Sequence, residues 1–242
     1  MENNKDVAVK KTAKAPSTIL FRDDANRGFE NVTQDSLALP IMKLLQNGSG
    51  EAQKRNQNYV EGAEPGMFLN TVTKKLYDGD KGLNVIPCYY KMEYQEWAEF
   101  GTGSGRPENI FAADSDILTK TTKDGSKDRL SNGNYILTVH QNYVIIISDN
   151  GSAETALISM SSSQGKIARK WQSLQMSQTM NDEQGAFTPS SWSYIYHLSS
   201  VLNTGKGNQW YGYNVSLVGP NDNAELYKRA KAFHDSLEKN NS

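Results

Sequence analysis

At 242 residues the chain is long enough for one large domain or two small ones, with a sizeable core. Its 26 basic and 27 acidic side chains nearly cancel, which excludes a generally basic, polyanion-coating molecule and leaves only local segregation of charge to make a nucleic-acid surface. A single cysteine, Cys88, excludes an intrachain disulfide, and no apolar run approaches a signal peptide or a membrane span, so a cytosolic, reducing setting is expected.

Residues 1–16 show neither helical nor strand period and carry Lys5, Lys10, Lys11 and Lys14 against Glu2 and Asp6, which reads as a disordered, mildly basic arm closed by Pro16. Residues 17–80 read as an N-terminal extension packed on the core, with an apolar patch over 37–45 and a strand from Met67 that ends before Asp78-Gly79. Leu83–Trp97 has strand composition. Period-two counting puts Ile86, Cys88, Tyr90, Met92 and Tyr94 on one face of it. The stretch 101–134 is loop-rich, and the cations towards its far end, Lys120, Lys123, Lys127 and Arg129, are interleaved with Asp124 and Asp128. Tyr135–Ser148 reads as a second strand, Asp149-Asn150-Gly151 as a tight turn and Glu154–Ser161 as a third strand.

A helix follows, with Ser162 or Ser163 expected to cap it and Ile167, Trp171 and Leu174 as its apolar stripe. Residues 181–189 read as loop. Ser191–Leu202 and Gln209–Val218 read as strands joined by a glycine-rich connection, and a last helix starts near Asp222 or Asn223 and buries Leu226, Ala230, Phe233 and Leu237. Three strands, a helix and two strands is the order of an OB-fold. The expectation is therefore a mainly β chain with α: a five-stranded OB-fold-like Greek-key barrel over 81–220, a helix between its third and fourth strands, the N-terminal extension, and a C-terminal helix and short tail over 221–242. The same order also fits a generic α+β sandwich.

Little in the chain points to catalysis. His140, His197 and His234 stand far apart with no second ligand at a metal spacing. Gly205-Lys206 is followed by glycine where a phosphate-binding loop needs Ser or Thr, and Gly101–Gly105 lacks the flanking strand and helix of a dinucleotide site. Neither a cofactor nor a metal is expected. The acidic pairs Asp78/Asp80 and Asp114/Asp116 read as solvated turns; a metal-dependent nuclease built on them is the weakest of the readings.

Binding of single-stranded nucleic acid needs flat rings for unstacked bases and cations along the phosphate track. The last two strands supply rings: Trp192, Tyr194 and Tyr196 on the first, Trp210, Tyr211 and Tyr213 on the second, with Lys206 in the connection. At least half of these rings should fill the interior of a barrel, and period-two counting leaves open which face is wet. The cations come from Lys166, Arg169 and Lys170, which lie off the apolar stripe of the helix at about 100° per residue. A solvated helix face predicts the same placement; what favours a contact is that no Asp or Glu occurs from Thr155 to Asn181.

Four blocks read together carry a family likeness: Leu39-Pro40-Ile41-Met42-Lys43-Leu44-Leu45-Gln46; Tyr59 through Thr73; Val85-Ile86-Pro87-Cys88-Tyr89-Tyr90 through Glu96-Trp97; and Ser159-Met160-Ser161-Ser162-Ser163-Gln164 through Arg169-Lys170-Trp171. In texture and order they resemble bacteriophage single-stranded-DNA-binding proteins. The resemblance implies a non-catalytic OB-fold protein that coats transiently single-stranded phage DNA during replication or recombination, in the cytoplasm of the infected bacterium, with phage or host replication proteins as further partners. Many such proteins end in an acidic tail; this sequence ends Leu237-Glu238-Lys239-Asn240-Asn241-Ser242, so recruitment through a tail is not expected. The alternative is a phage structural or protein-interaction module that uses an aromatic-rich surface, since interfaces also favour Tyr and Trp.

Overall fold

The computed structural model describes residues 22, 25, 27, 28, 30, 38–99, 101–205 and 207–241, with side chains through residue 239. The chain divides into two units, Met1–Ala38 and Leu39–Ser242. In the first, the Ala25 N–H donates to the Arg22 carbonyl at 3.2 Å. The expected basic arm over 1–16 lies outside the described residues.

The second unit is mainly β. In chain order it runs β1 (Met42–Leu44), β2 (Phe68–Asn70), β3 (Leu76–Tyr77), β4 (Leu83–Trp97), β5 (Asn109–Ala112), β6 (Thr122–Asp124), β7 (Lys127–Arg129), β8 (Tyr135–Ile147), β9 (Ala153–Ser161), α1 (Gly165–Met176), β10 (Met180–Asp182), β11 (Gly185–Phe187), β12 (Tyr194–Gly205), β13 (Asn208–Pro220) and α2 (Ala224–Asn241). An eight-stranded antiparallel sheet follows the path β13-β12-β4-β8-β7-β6, with β5 added beside β4 and β9 beside β8. Its upper half therefore reads β13-β12-β4-β8-β9.

Each face of this sheet has its own core. On one face Val85, Val144, Ile146, Ile158, Met160, Tyr196, Leu198 and Val215 pack against Trp171 of α1 and against Met42 and Phe68 of the small β1-β2-β3 sheet. On the other, Ile86, Cys88 and Ile145 pack against Ala230 and Phe233 of α2, with Leu226 and Leu237 alongside. Each large apolar side chain removed from water this way contributes about 1.5–3 kcal/mol. The last helix starts where its cap allows. The Asn223 Oδ1 accepts from the N–H groups of Glu225 and Leu226 at 3.0 and 3.1 Å.

Three expectations need correction. Period-two counting fails along β4, because the pairing with β8 slips between Pro87 and Tyr89. Pro87 has no N–H to give a ladder, and the bulge there turns Tyr90 away from the face that holds Ile86 and Cys88. Ser162 and Ser163 do not cap α1. The chain enters it through a 3-10 turn, Ser162–Gln164, with Ser162 in the left-handed region at φ 50°.

The third correction concerns closure. An OB barrel needs the strand before the helix to pair with the last strand, and the sheet here is not closed in that way: β9 and β13 remain separate edges. The segment 40–46 occupies the seam between them. The Pro40 carbonyl accepts from Leu157 N–H on β9 at 2.8 Å, and Ile41 forms a parallel bridge to Leu157. Six residues later, Gln46 reaches the Tyr211 backbone on β13. A side chain and a crossing strand thus satisfy edges that a barrel would join directly.

Candidate nucleic-acid interface

The site is built around the start of α1. Its first residue is Gly165, and a Cβ there would stand 3.3 Å from the His140 Nε2, a tight contact that the glycine avoids where the helix begins beside β8. Ala168 and Trp171 are fully buried, and that fixes the rotation of the helix. Lys166, Arg169 and Lys170 consequently face solvent, all three exposed. None of them forms an ion pair with a described residue.

Gln164 ties this turn to β13. Its Oε1 accepts from Tyr213 N–H at 3.1 Å and its Nε2 donates to the Tyr211 carbonyl at 3.3 Å. The anchor leaves a groove of about 290 Å³ walled by Gln164, Lys166 and Ile167 on the helix side and by Val201, Trp210 and Asn214 on the hairpin side. Trp210 pairs with Asn203 across the hairpin, and its ring leans over Gly205, where a Cβ would lie 3.2 Å from it. On the far side of the stripe, the Tyr90 hydroxyl and His140 Nδ1 are hydrogen-bonded at 2.8 Å, their rings stacked 6.1 Å apart. Burial, and after it the Arg169 charge, holds the His140 imidazole below its ordinary value, so the position is neutral at pH 7.

A family model for the Pam3 phage gp34-like protein matches residues 9–242. The chain belongs to that family. No curated protein and no solved structure matches it. The phage origin of the gp34-like chain rests on this membership.

In the gp34-like chain the ten candidate residues do not form one surface. Lys166 and Trp210 line the same groove, with Arg169 and Lys170 continuing along the helix. Tyr196 and Tyr213 are corrections: both rings are core, Tyr196 fully buried against Trp171 and Tyr213 stacked on Phe68 at 5.9 Å. Tyr194 and Tyr211 are half-buried against the same core, and a Cβ on Gly66 would meet the Tyr211 ring at 2.5 Å. Trp192 is not on the strand at all. It sits in the 3-10 turn Ser191–Ser193 and packs on His234 and Tyr227 of α2, at 4.7 and 6.4 Å between ring centres. Lys206 lies outside the described residues.

The cations of the 120–129 stretch are neutralised locally, Lys120 by Asp116 at 3.0 Å. Lys123 pairs with Asp128 at 2.7 Å, Lys127 and Arg129 share Glu99 at 2.9 and 2.6 Å, and Arg129 also holds Asp124 at 2.8 Å. These pairs hold the Glu99 carboxyl down to about 2. Among the described residues no group of three or more His, Cys, Asp or Glu could hold a metal ion, and no helix is long and apolar enough to cross a membrane.

Two contributors escaped the sequence reading. Gln164 and Asn214 shape the groove, yet neither belongs to a charged or aromatic motif. The acid-free run around Gln164 was the one signal that pointed near it.

Proposed function

We propose that this gp34-like protein binds single-stranded DNA without catalysis and with little sequence preference, during replication or recombination of phage DNA in the cytoplasm of an infected bacterium. The single observation that carries the reading is the unpaired stripe Lys166, Arg169 and Lys170 running beside a groove walled by Trp210. Lys123, Lys127 and Arg129 sit in ion pairs, whereas this stripe offers charge that phosphates can use. Trp210 supplies the flat ring for an unstacked base, and Asn203 and Asn214 are neutral polar neighbours that tolerate any base. The strand order supports the same reading. With β12 beside β4 and β9 beside β8, the upper sheet follows an OB-fold path opened at one seam, which segment 40–46 fills.

The test is a titration of poly(dT) at low salt, followed by tryptophan fluorescence and by retention on a filter. The expected result is binding that weakens steeply as salt rises, with quenching that disappears in Trp210→Phe and persists in Trp192→Phe. Absence of binding at low salt overturns the proposal.

A further inference from the structure

Between α1 and β12 the chain throws out an arm. β10 and β11 pair with each other through Met180↔Phe187, Asn181↔Ala186 and Asp182↔Gly185 and form a separate two-stranded sheet. Every residue from 181 to 188 is exposed. A two-stranded hairpin alone is at best marginally stable in water, so an arm of this kind gains from a surface to lie on. Directly opposed residues and those two apart share a face of a hairpin, which places Met180, Phe187 and Asp182 together. Phe187 is 45 % exposed, and Met176 at the arm's base is 72 % exposed. At the tip, Asp182 and Glu183 form no ion pair with a described residue.

The arm therefore shows an apolar ring followed by unpaired acid, and the α1 groove shows apolar walls followed by unpaired base. Ile167, Val201 and Trp210 line the groove, Lys166 stands at its edge, and Lys170 is one helical turn further on.

We propose that the β10–β11 arm of one copy docks in the α1 groove of a second copy, with Phe187 between Ile167, Val201 and Trp210, and Asp182 and Glu183 on Lys166 and Lys170. Arm and groove are different patches, so the contact is heterologous and propagates head to tail rather than closing as a two-fold dimer. An acidic tip is repelled by nucleic acid, which makes a second copy the fitting occupant. The contact needs no DNA, so its failure and the failure of the DNA-binding reading are separate results.

The test is sedimentation velocity of the full chain at rising concentration, in low and in high salt, without nucleic acid. The expected result is a mass above the 26.9 kDa of one chain at low salt, returning to one chain at high salt. The double variants Asp182→Lys/Glu183→Lys and Lys166→Glu/Lys170→Glu each remain single chains, since both change exposed residues, with circular dichroism checking that each is folded. Mixed together they associate, because the reversed arm of the first meets the reversed groove of the second and the unchanged arm of the second meets the unchanged groove of the first. A wild-type protein that stays a single chain at every concentration, assembly that ignores both charge reversals, or a mixture that fails to associate overturns the proposal.

Discussion

The side-chain amide of Gln46 pairs with both backbone polar groups of Tyr211: its Nε2 donates to the carbonyl at 3.0 Å and its Oε1 accepts from the N–H at 2.9 Å. A glutamine here imitates the ladder of a neighbouring strand. Gln46→Ala removes both bonds and leaves the edge of β13 short of partners, so a loss of about 1–3 kcal/mol is expected in urea unfolding. Gln46→Leu, which keeps the bulk but not the amide, is expected to lose a similar amount. A stability equal to wild type in both would show that the seam is held by packing alone.

The cations of α1 and those of the loop are expected to behave differently. Lys166→Ala, Arg169→Ala and Lys170→Ala should each weaken poly(dT) binding and lower the slope of log affinity against log salt by about 1. Lys123→Ala should do neither, because its charge is already held by Asp128. Equal effects across the four variants would mean that DNA sees only net charge.

Tyr213→Ala and Trp171→Ala are expected to cost about 3–5 kcal/mol each, as large-to-small changes in a filled core. Measured at a temperature where the variants remain folded, they should leave the salt slope of DNA binding unchanged. A changed slope would place these residues at the interface after all.

Acid should loosen the β6–β7 region first. Hydrogen bonds from Lys127 and then Arg129 depress the Glu99 carboxyl to about 2, below its value in an unfolded chain. A depressed carboxyl stabilises the fold fully above the unfolded value near ~4.3, and that contribution is lost as pH falls from there through about 2. Hydrogen exchange across residues 122–129 should therefore accelerate in this window. In Glu99→Gln the acceleration should vanish.

Cys88 should be inert to thiol reagents while the chain is folded. Burial pushes its thiol up to about 12, so at pH 8 the reactive thiolate is about 10⁻⁴ of the total, and α2 covers it. Fast labelling of native protein would show that α2 detaches from the sheet.

The long elements were legible because their patterns are local. β4, β8, β9 and α1 lie close to where composition and period place them, and Asn223 caps α2 beside the expected start. What escaped depends on residues distant in sequence. The Pro87 bulge reverses the faces of Tyr90 and Met92 only once β8 is beside them. Tyr196 and Tyr213 look like exposed platforms until Trp171 and Phe68 are seen against them. β10 and β11, read as loop, are too short and too polar for any periodicity to appear. Of the candidate site, the α1 stripe was readable from the absence of acids; the choice of Trp210 among the rings was not.

The seam imposes an order on synthesis. Gln46 stands 165 positions before the residue it binds. It leaves the ribosome long before β13 exists, and β1 must wait until Tyr211 has been translated. A nascent chain halted short of Tyr211 can fasten the edge of β9 early, whereas the latch across the seam closes only once β13 has been made.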